Sequence, residues 1–184
     1  MKSVSASSTT LPVDRDPRVR EVVLRAIERL SASGATDASL DAIGRDLGAL
    51  GQALAPPICG ALFDEVELFQ DPDGTFELVV TRLRAGAEQP VMLAFDTWSI
   101  HTPCFGVVRV DWSDDADAET VSSTLDVGSH RVIGQGKFAR FAAAGGDAEL
   151  LRLYGVARQH LPSPSTATAR PRATRRSECE TARR

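Results

Sequence analysis

The sequence predicts a mainly β domain, a small barrel with two helices packed on its outside. Three observations lead there. Between residues 60 and 156 the chain is a succession of short runs rich in Val, Leu, Phe and Thr, separated by turns of Gly, Asp or Pro. Two stretches show apolar residues at helical spacing, and both precede those runs. The 184 residues, 42% hydrophobic and 25% charged, are enough for one globular domain with a sizeable core.

Residues 1–14 read as a disordered leader, too poor in apolar side chains to offset the entropy of ordering, and without the apolar block of a secretory signal. Asp16-Pro17 then opens a helix: the carboxylate caps free N–H groups and proline fits the first helical position. Val19, Val22, Val23, Ala26, Ile27 and Leu30 form its buried stripe. A second helix is expected from about Ser39 to Leu54, with Leu40, Ile43, Leu47, Leu50 and Leu54 on one side. Gly44, Gly48 and Gly51 weaken it intrinsically and suit the close approach of another element. These two helices make an arm over 16–54. The barrel of 60–156 follows as "ALFDEVELF", "TFELVVTRLR", "VMLAF", "SIHTPCFGVVRVDW", "TVSSTLDV", "HRVIGQG", "KFARFAA" and "ELLRLYGV". The domain as a whole spans 15–160, and 161–184 is an Arg-rich tail.

The net charge of −4 is unevenly spread. From Leu161 onward there are six Arg and two Glu, a net of +4, so residues 1–160 carry −8. An acidic body argues against nucleic acid as a partner, and the tail, poor in apolar residues, reads as a solvated disordered end. No apolar run is long enough for a membrane helix. Three widely spaced cysteines, Cys59, Cys104 and Cys179, suit reduced thiols and a cytoplasmic location.

The order of pieces resembles the cupin-type, double-stranded β-helix proteins of the cysteine dioxygenase-like group. That group includes many small bacterial proteins described as metal-dependent enzymes. The resemblance runs from about Asp16 to Val156. "FELVVTRLRAG" matches the family's strand ending in Gly. Pro90, Trp98 and Gly106 match the proline, tryptophan and glycine that bracket its His-x-His motif. "DVGSHRVIGQGKFARF" matches the segment carrying the third histidine, and Leu153-Tyr154-Gly155 matches the closing motif. In that family three imidazoles hold a ferrous ion with positions open for thiolate and dioxygen. Here the first two fall at Met92 and Ala94, or at Leu93 and Phe95, and the third at Ala139. The resemblance therefore implies the barrel without its iron ligands. Met92, Ala94, Phe95, Trp98 and Ala139 are then expected to line the interior, and no metal is expected at that position.

The histidines present are His101, His130 and His160. A relocated metal site would use His101 and His130, with Asp96, Glu77 or Cys104 as third ligand and Fe2+ as the ion. No histidine pair sits at the i, i+2 or i, i+4 spacing that favours such a site. On a strand, His101 and Pro103 share one face, and Ile100, Thr102 and Cys104 the other, so a Cys104–His101 nucleophile pair is disfavoured. His101 and Asp96 are the candidate acid–base residues. The acidic run Asp111, Asp114, Asp115, Asp117, Glu119 lacks calcium-loop spacing.

Three functions compete on this reading. One is a metal-free cupin that binds or transforms a small, partly apolar metabolite. The second is a non-haem iron thiol-dioxygenase-like oxidoreductase with relocated ligands. The third is a dimerising interaction protein. The expected partners are a small-molecule ligand and a second copy in a homodimer, with neither nucleic acid nor membrane.

Overall fold

The computed structural model describes residues 16–54, 58–59, 64–87, 93–115 and 119–156. The leader, the tail beyond Val156 and Met92 lie outside them. Helix α1 spans Pro17–Ser33 and helix α2 spans Asp37–Ala53. Asp16 caps α1 as its sequence requires, its carboxylate accepting from the Arg18 N–H at 2.9 Å. Helix α2 begins two residues earlier than expected. The Thr36 hydroxyl accepts from the Ser39 N–H at 3.3 Å while the Ser39 hydroxyl accepts from the Thr36 N–H at 2.9 Å. This reciprocal cap uses serine in the place normally held by Glu or Gln, so the sequence hides it.

Nine strands follow: β1 Glu65–Gln70, β2 Phe76–Leu83, β3 Leu93–Ala94, β4 Ser99–Phe105, β5 Val108–Ser113, β6 Val121–Leu125, β7 Arg131–Ile133, β8 Phe138–Ala143 and β9 Ala148–Gly155. They form a five-stranded sheet of order β1-β2-β9-β4-β7 and a four-stranded sheet of order β3-β8-β5-β6. All pairings are antiparallel, and they nest: β2 with β9, β3 with β8, β4 with β7, β5 with β6. A long ribbon folded at the β5–β6 connection and then rolled up gives this order, which defines the double-stranded β-helix.

Two apolar clusters separate the layers. The outer one joins Val19, Val22, Leu40, Ile43 and Leu47 of the helices to the outer face of the larger sheet, including Leu78, Val80, Ile100, Cys104, Leu151 and Leu153. The inner one lies between the sheets and holds Val108, Val110, Ile133, Ala139, Phe141, Ala148 and Leu150. The period of two is thus kept on β4, where Ile100 and Cys104 face the helices and His101 faces inward.

The glycines of α2 let the helix lie against backbone. A Cβ on Gly48 would sit 2.4 Å from the Gly128 carbonyl oxygen, and one on Gly51 would sit 2.9 Å from that of Pro103. The buried Glu149 of β9 anchors the segment before β1, accepting from the Ile58 N–H at 2.6 Å and the Cys59 N–H at 2.8 Å. None of the described helices is long and apolar enough to cross a membrane.

Candidate functional site inside the barrel

Register places side chains on the inner face of the larger sheet in rows. Arg131 on β7 is paired with His101 on β4, and His101 is paired with Arg152 on β9. In the next row Ile133, Ser99, Tyr154 and Glu77 lie side by side. One end of the interior is therefore polar, and the other, around Leu150, Ala148, Val108 and Val110, is apolar.

His101 is fully buried. Its ring stacks on Phe141 with centroids 4.1 Å apart and meets the edge of Phe95 at 5.6 Å. Its Nε2 shares a 2.8 Å hydrogen bond with the Ser99 hydroxyl, and its Nδ1 has no partner among the described residues. Burial, with the Arg152 charge as a smaller contribution, holds its pKa well below the ordinary 6.5. The imidazole is neutral, so it can take one hydrogen bond as donor and one as acceptor.

The two flanking arginines differ. Arg152 is compensated: its Nη1 lies 3.5 Å from Glu65 Oε2 and donates to the Thr81 hydroxyl at 3.3 Å, and its guanidinium lies over the Tyr154 ring. Tyr154 donates to Glu77 Oε2 at 2.7 Å, and burial followed by that carboxylate raises its pKa, so it stays a phenol. Arg131 stands 5.3 Å over the Trp112 ring and donates to the Ser123 hydroxyl at 3.2 Å. No carboxylate pairs with it among the described residues.

A cleft of about 580 Å3 opens on the barrel between the ends of β2 and β8. Leu83, Phe141 and Ala143 form its floor, and Arg82, Arg84 and Arg109 its rim. The rim guanidinium groups are engaged, Arg84 with Asp64 at 2.6 Å and Arg82 with Asp147 at 2.5 Å. Phe141 is shared, lining the cleft on one side and covering His101 on the other.

The residues singled out from sequence divide. Phe95, Ala139 and His101 come together in the interior. Ala139 is paired in the backbone register with Leu93, and Phe138 with Ala94. Of the two candidate ligand pairs, Leu93/Phe95 thus has a described member inside. Trp98, expected to line the interior, packs against the outer cluster. The turn at Asp96-Thr97 carries the chain from one sheet to the other, and β4 enters with Ser99 inward, which turns Trp98 outward against Gly155. Asp96 is exposed in that turn, away from His101.

His130 lies beyond the sheet, its Nε2 3.0 Å from Asp41 Oδ1 on α2, so it and His101 occupy opposite sides and do not meet. The ferrous ion implied by the resemblance does not fit this donor set. Phe95 and Ala139 supply no ligand atom, and no group of three His, Cys, Asp or Glu side chains among the described residues could hold a metal. Sequence reasoning missed Ser99, Trp112, Arg131 and Arg152. The available signal was a charged residue alternating with buried apolar ones, as in Leu150-Leu151-Arg152-Leu153.

Neither a protein-family model nor a curated protein matches the chain. Solved structures of similar shape include an RmlC-like cupin from Shewanella frigidimarina, at 16% identity over 52% of this chain and 77% of that one, with a TM-score of 0.43. KdgF from a Halomonas species is similar at 14% identity over 52% and 79%, with a TM-score of 0.43. A cupin superfamily protein from Desulfitobacterium hafniense is similar at 11% over 59% and 88%, with a TM-score of 0.41. By its own strand order, with the two helices packed outside, the chain has the cupin-type double-stranded β-helix fold.

Proposed function

We propose that this protein is a divergent cysteine dioxygenase-like cupin that binds a small, partly apolar metabolite inside the barrel without the iron site of that group. The observation carrying this reading is the inner-face row Arg131–His101–Arg152, in which the buried His101 ring is covered by Phe95 and Phe141 next to the apolar end of the interior. A fully buried imidazole with an Nδ1 unpartnered among the described residues costs stability unless something uses it, whereas an apolar side chain would fill that place more cheaply. The cleft falls in the size range of metabolite pockets and has an apolar floor with charged groups at its rim, the usual division between binding area and orientation. His101 lies behind the Phe141 ring that lines this cleft and is the polar contact proposed for a ligand inside the barrel, a neutral imidazole whose Nδ1 has no partner among the described residues. Ala139 and Phe95, at the positions where the resemblance puts imidazoles, favour a metal-free site.

Two measurements test this. Iron and zinc analysis of the aerobically purified protein should find both well below one per chain. A thermal-shift screen of small metabolites should find ligands whose stabilisation disappears in His101→Leu. Equimolar iron that is lost in His101→Leu would instead favour an iron-dependent oxidoreductase with relocated ligands.

A further inference from the structure

One side chain separates the cleft on the barrel from the buried imidazole. Phe141 stacks on the His101 ring with centroids 4.1 Å apart and planes 25° from parallel, and the same Phe141 lines the cleft. Behind it the imidazole is fully buried, and its Nδ1 has no partner among the described residues. In front of it the cleft offers about 580 Å3. That room comes from the sequence after Phe141, because Ala142, Ala143, Ala144 and Gly145 all line the cleft and none is large enough to fill it.

The strand also gives the ring somewhere to go. Along the inner face of β8 the neighbours of Phe141 are Ala139, in the inner cluster, and Ala143, packed against it. Two χ1 wells are common on a strand, and side chains in a packed core do exchange rotamers without the sheet opening. A Phe141 ring turned off His101 would rest over Leu83 and Ala143 at the cleft floor and so keep apolar contact. An apolar cavity of about 150 Å3 holds a benzene ring, so about 580 Å3 takes the Phe141 ring and leaves a passage beside it.

We propose that Phe141 is the gate of the barrel: its ring turns from His101 onto Leu83 and Ala143, and the turn opens a path from the cleft to the imidazole. This rests on the reading of the barrel as a metabolite site and adds its entry and the residue that limits what passes.

The test reads access to His101 and needs no ligand. Diethyl pyrocarbonate is a small reagent that a neutral imidazole nitrogen attacks at a carbonyl carbon. An N–C bond forms, and ethyl carbonate leaves and breaks down to ethanol and carbon dioxide. Modification of the full chain at neutral pH is followed by peptide mass spectrometry, with His130, which lies beyond the sheet, as the internal reference. A minor open state populated at about 0.1–10% slows access by about 10- to 1,000-fold. Phe141→Ala should therefore speed modification of His101 by about ten-fold or more, and Phe141→Leu, which keeps an apolar filling, by less. Ala143→Leu fills the place into which the ring turns and leaves the His101 contacts with Ser99, Phe95 and Phe141 in place, so it should slow His101 while His130 reacts as before. In the native protein the His101 rate should not change with urea below the unfolding transition, since a turning ring exposes little surface. Three results would each overturn the gate: a rate that neither Phe141→Ala nor Phe141→Leu raises, a rate that Ala143→Leu does not lower, or a rate that climbs with urea as steeply as global unfolding. Any of them would leave the metabolite site standing with another entry. Rates as expected with a failed metabolite screen would remove the site and keep the gate.

Discussion

Acidification tests the placement of His101 directly. The ring is enclosed by Phe95, Phe141 and Ser99, and the charged residues beside it in the sheet, Arg131 and Arg152, are both cations. Its folded pKa is well below 6.5, while in the unfolded chain it returns to about 6.5. The unfolded state therefore takes up the proton first. Stability from this group is complete above the unfolded pKa and is lost as the pH falls towards the folded one. While the folded ring stays neutral, the slope does not depend on how far its pKa is depressed. It approaches about 1.4 kcal/mol per pH unit, or about 2 kcal/mol between pH 7.5 and 5. For a domain of this size that is about 4–8 °C in melting temperature. Urea unfolding of the native protein and of His101→Gln, at fixed ionic strength from pH 7.5 to 5, measures it. Asp16, Asp41 and Asp147, whose pKa values are lowered, take effect mainly below about pH 5, and the other histidines are common to both proteins. The variant's stability should be flatter by about 2 kcal/mol over this range. Parallel curves would refute the buried, neutral imidazole.

Gly48→Ala should lower stability by about 1–3 kcal/mol despite alanine's better helix propensity, because the new methyl meets the Gly128 carbonyl and backbone cannot step aside. Gly44→Ala meets the His130 ring instead, so a double-mutant cycle with His130→Ala should recover part of its loss, whereas the same cycle with Gly48→Ala should be additive. Glu149→Ala should cost about 2–5 kcal/mol, since the Ile58 and Cys59 N–H groups lose a charged acceptor, and it should increase hydrogen exchange at those two amides first.

Much of the fold was legible because it is written in local signals. Asp16-Pro17 marks the start of α1, alternating residues mark the strands, and the faces of β4 follow from a period of two. The glycines of α2 also announced a close neighbour, though not that it would be the Gly128 carbonyl. The site was legible only in part. Phe95 and Ala139 could be placed inside through the resemblance, and the period of two told which residues of β4 share a face with His101 but not that this face is the inner one. The row Arg131–His101–Arg152 depends on the pairing of β4 with both β7 and β9, and such register is fixed by contacts far apart in sequence. Trp98 was misplaced because crossing from one sheet to the other resets which residues point inward. His130 and Asp41 meet across 89 positions, a contact that no spacing rule reaches.

The nested strand order has a kinetic consequence. The last strand, β9, lies between β2 and β4 in the larger sheet and pairs along its length with β2, whose Phe76 meets Gly155. During synthesis, the surface that α1 and α2 must cover is incomplete until residues near Gly155 have left the ribosome. Among the strands, the β1–β2 and β5–β6 hairpins can form from local contacts before then, but neither completes that surface. The chain should thus fold late and in one step after release. A nascent chain stopped before Ala148 should remain protease-sensitive throughout its helices, although those helices were the first part made.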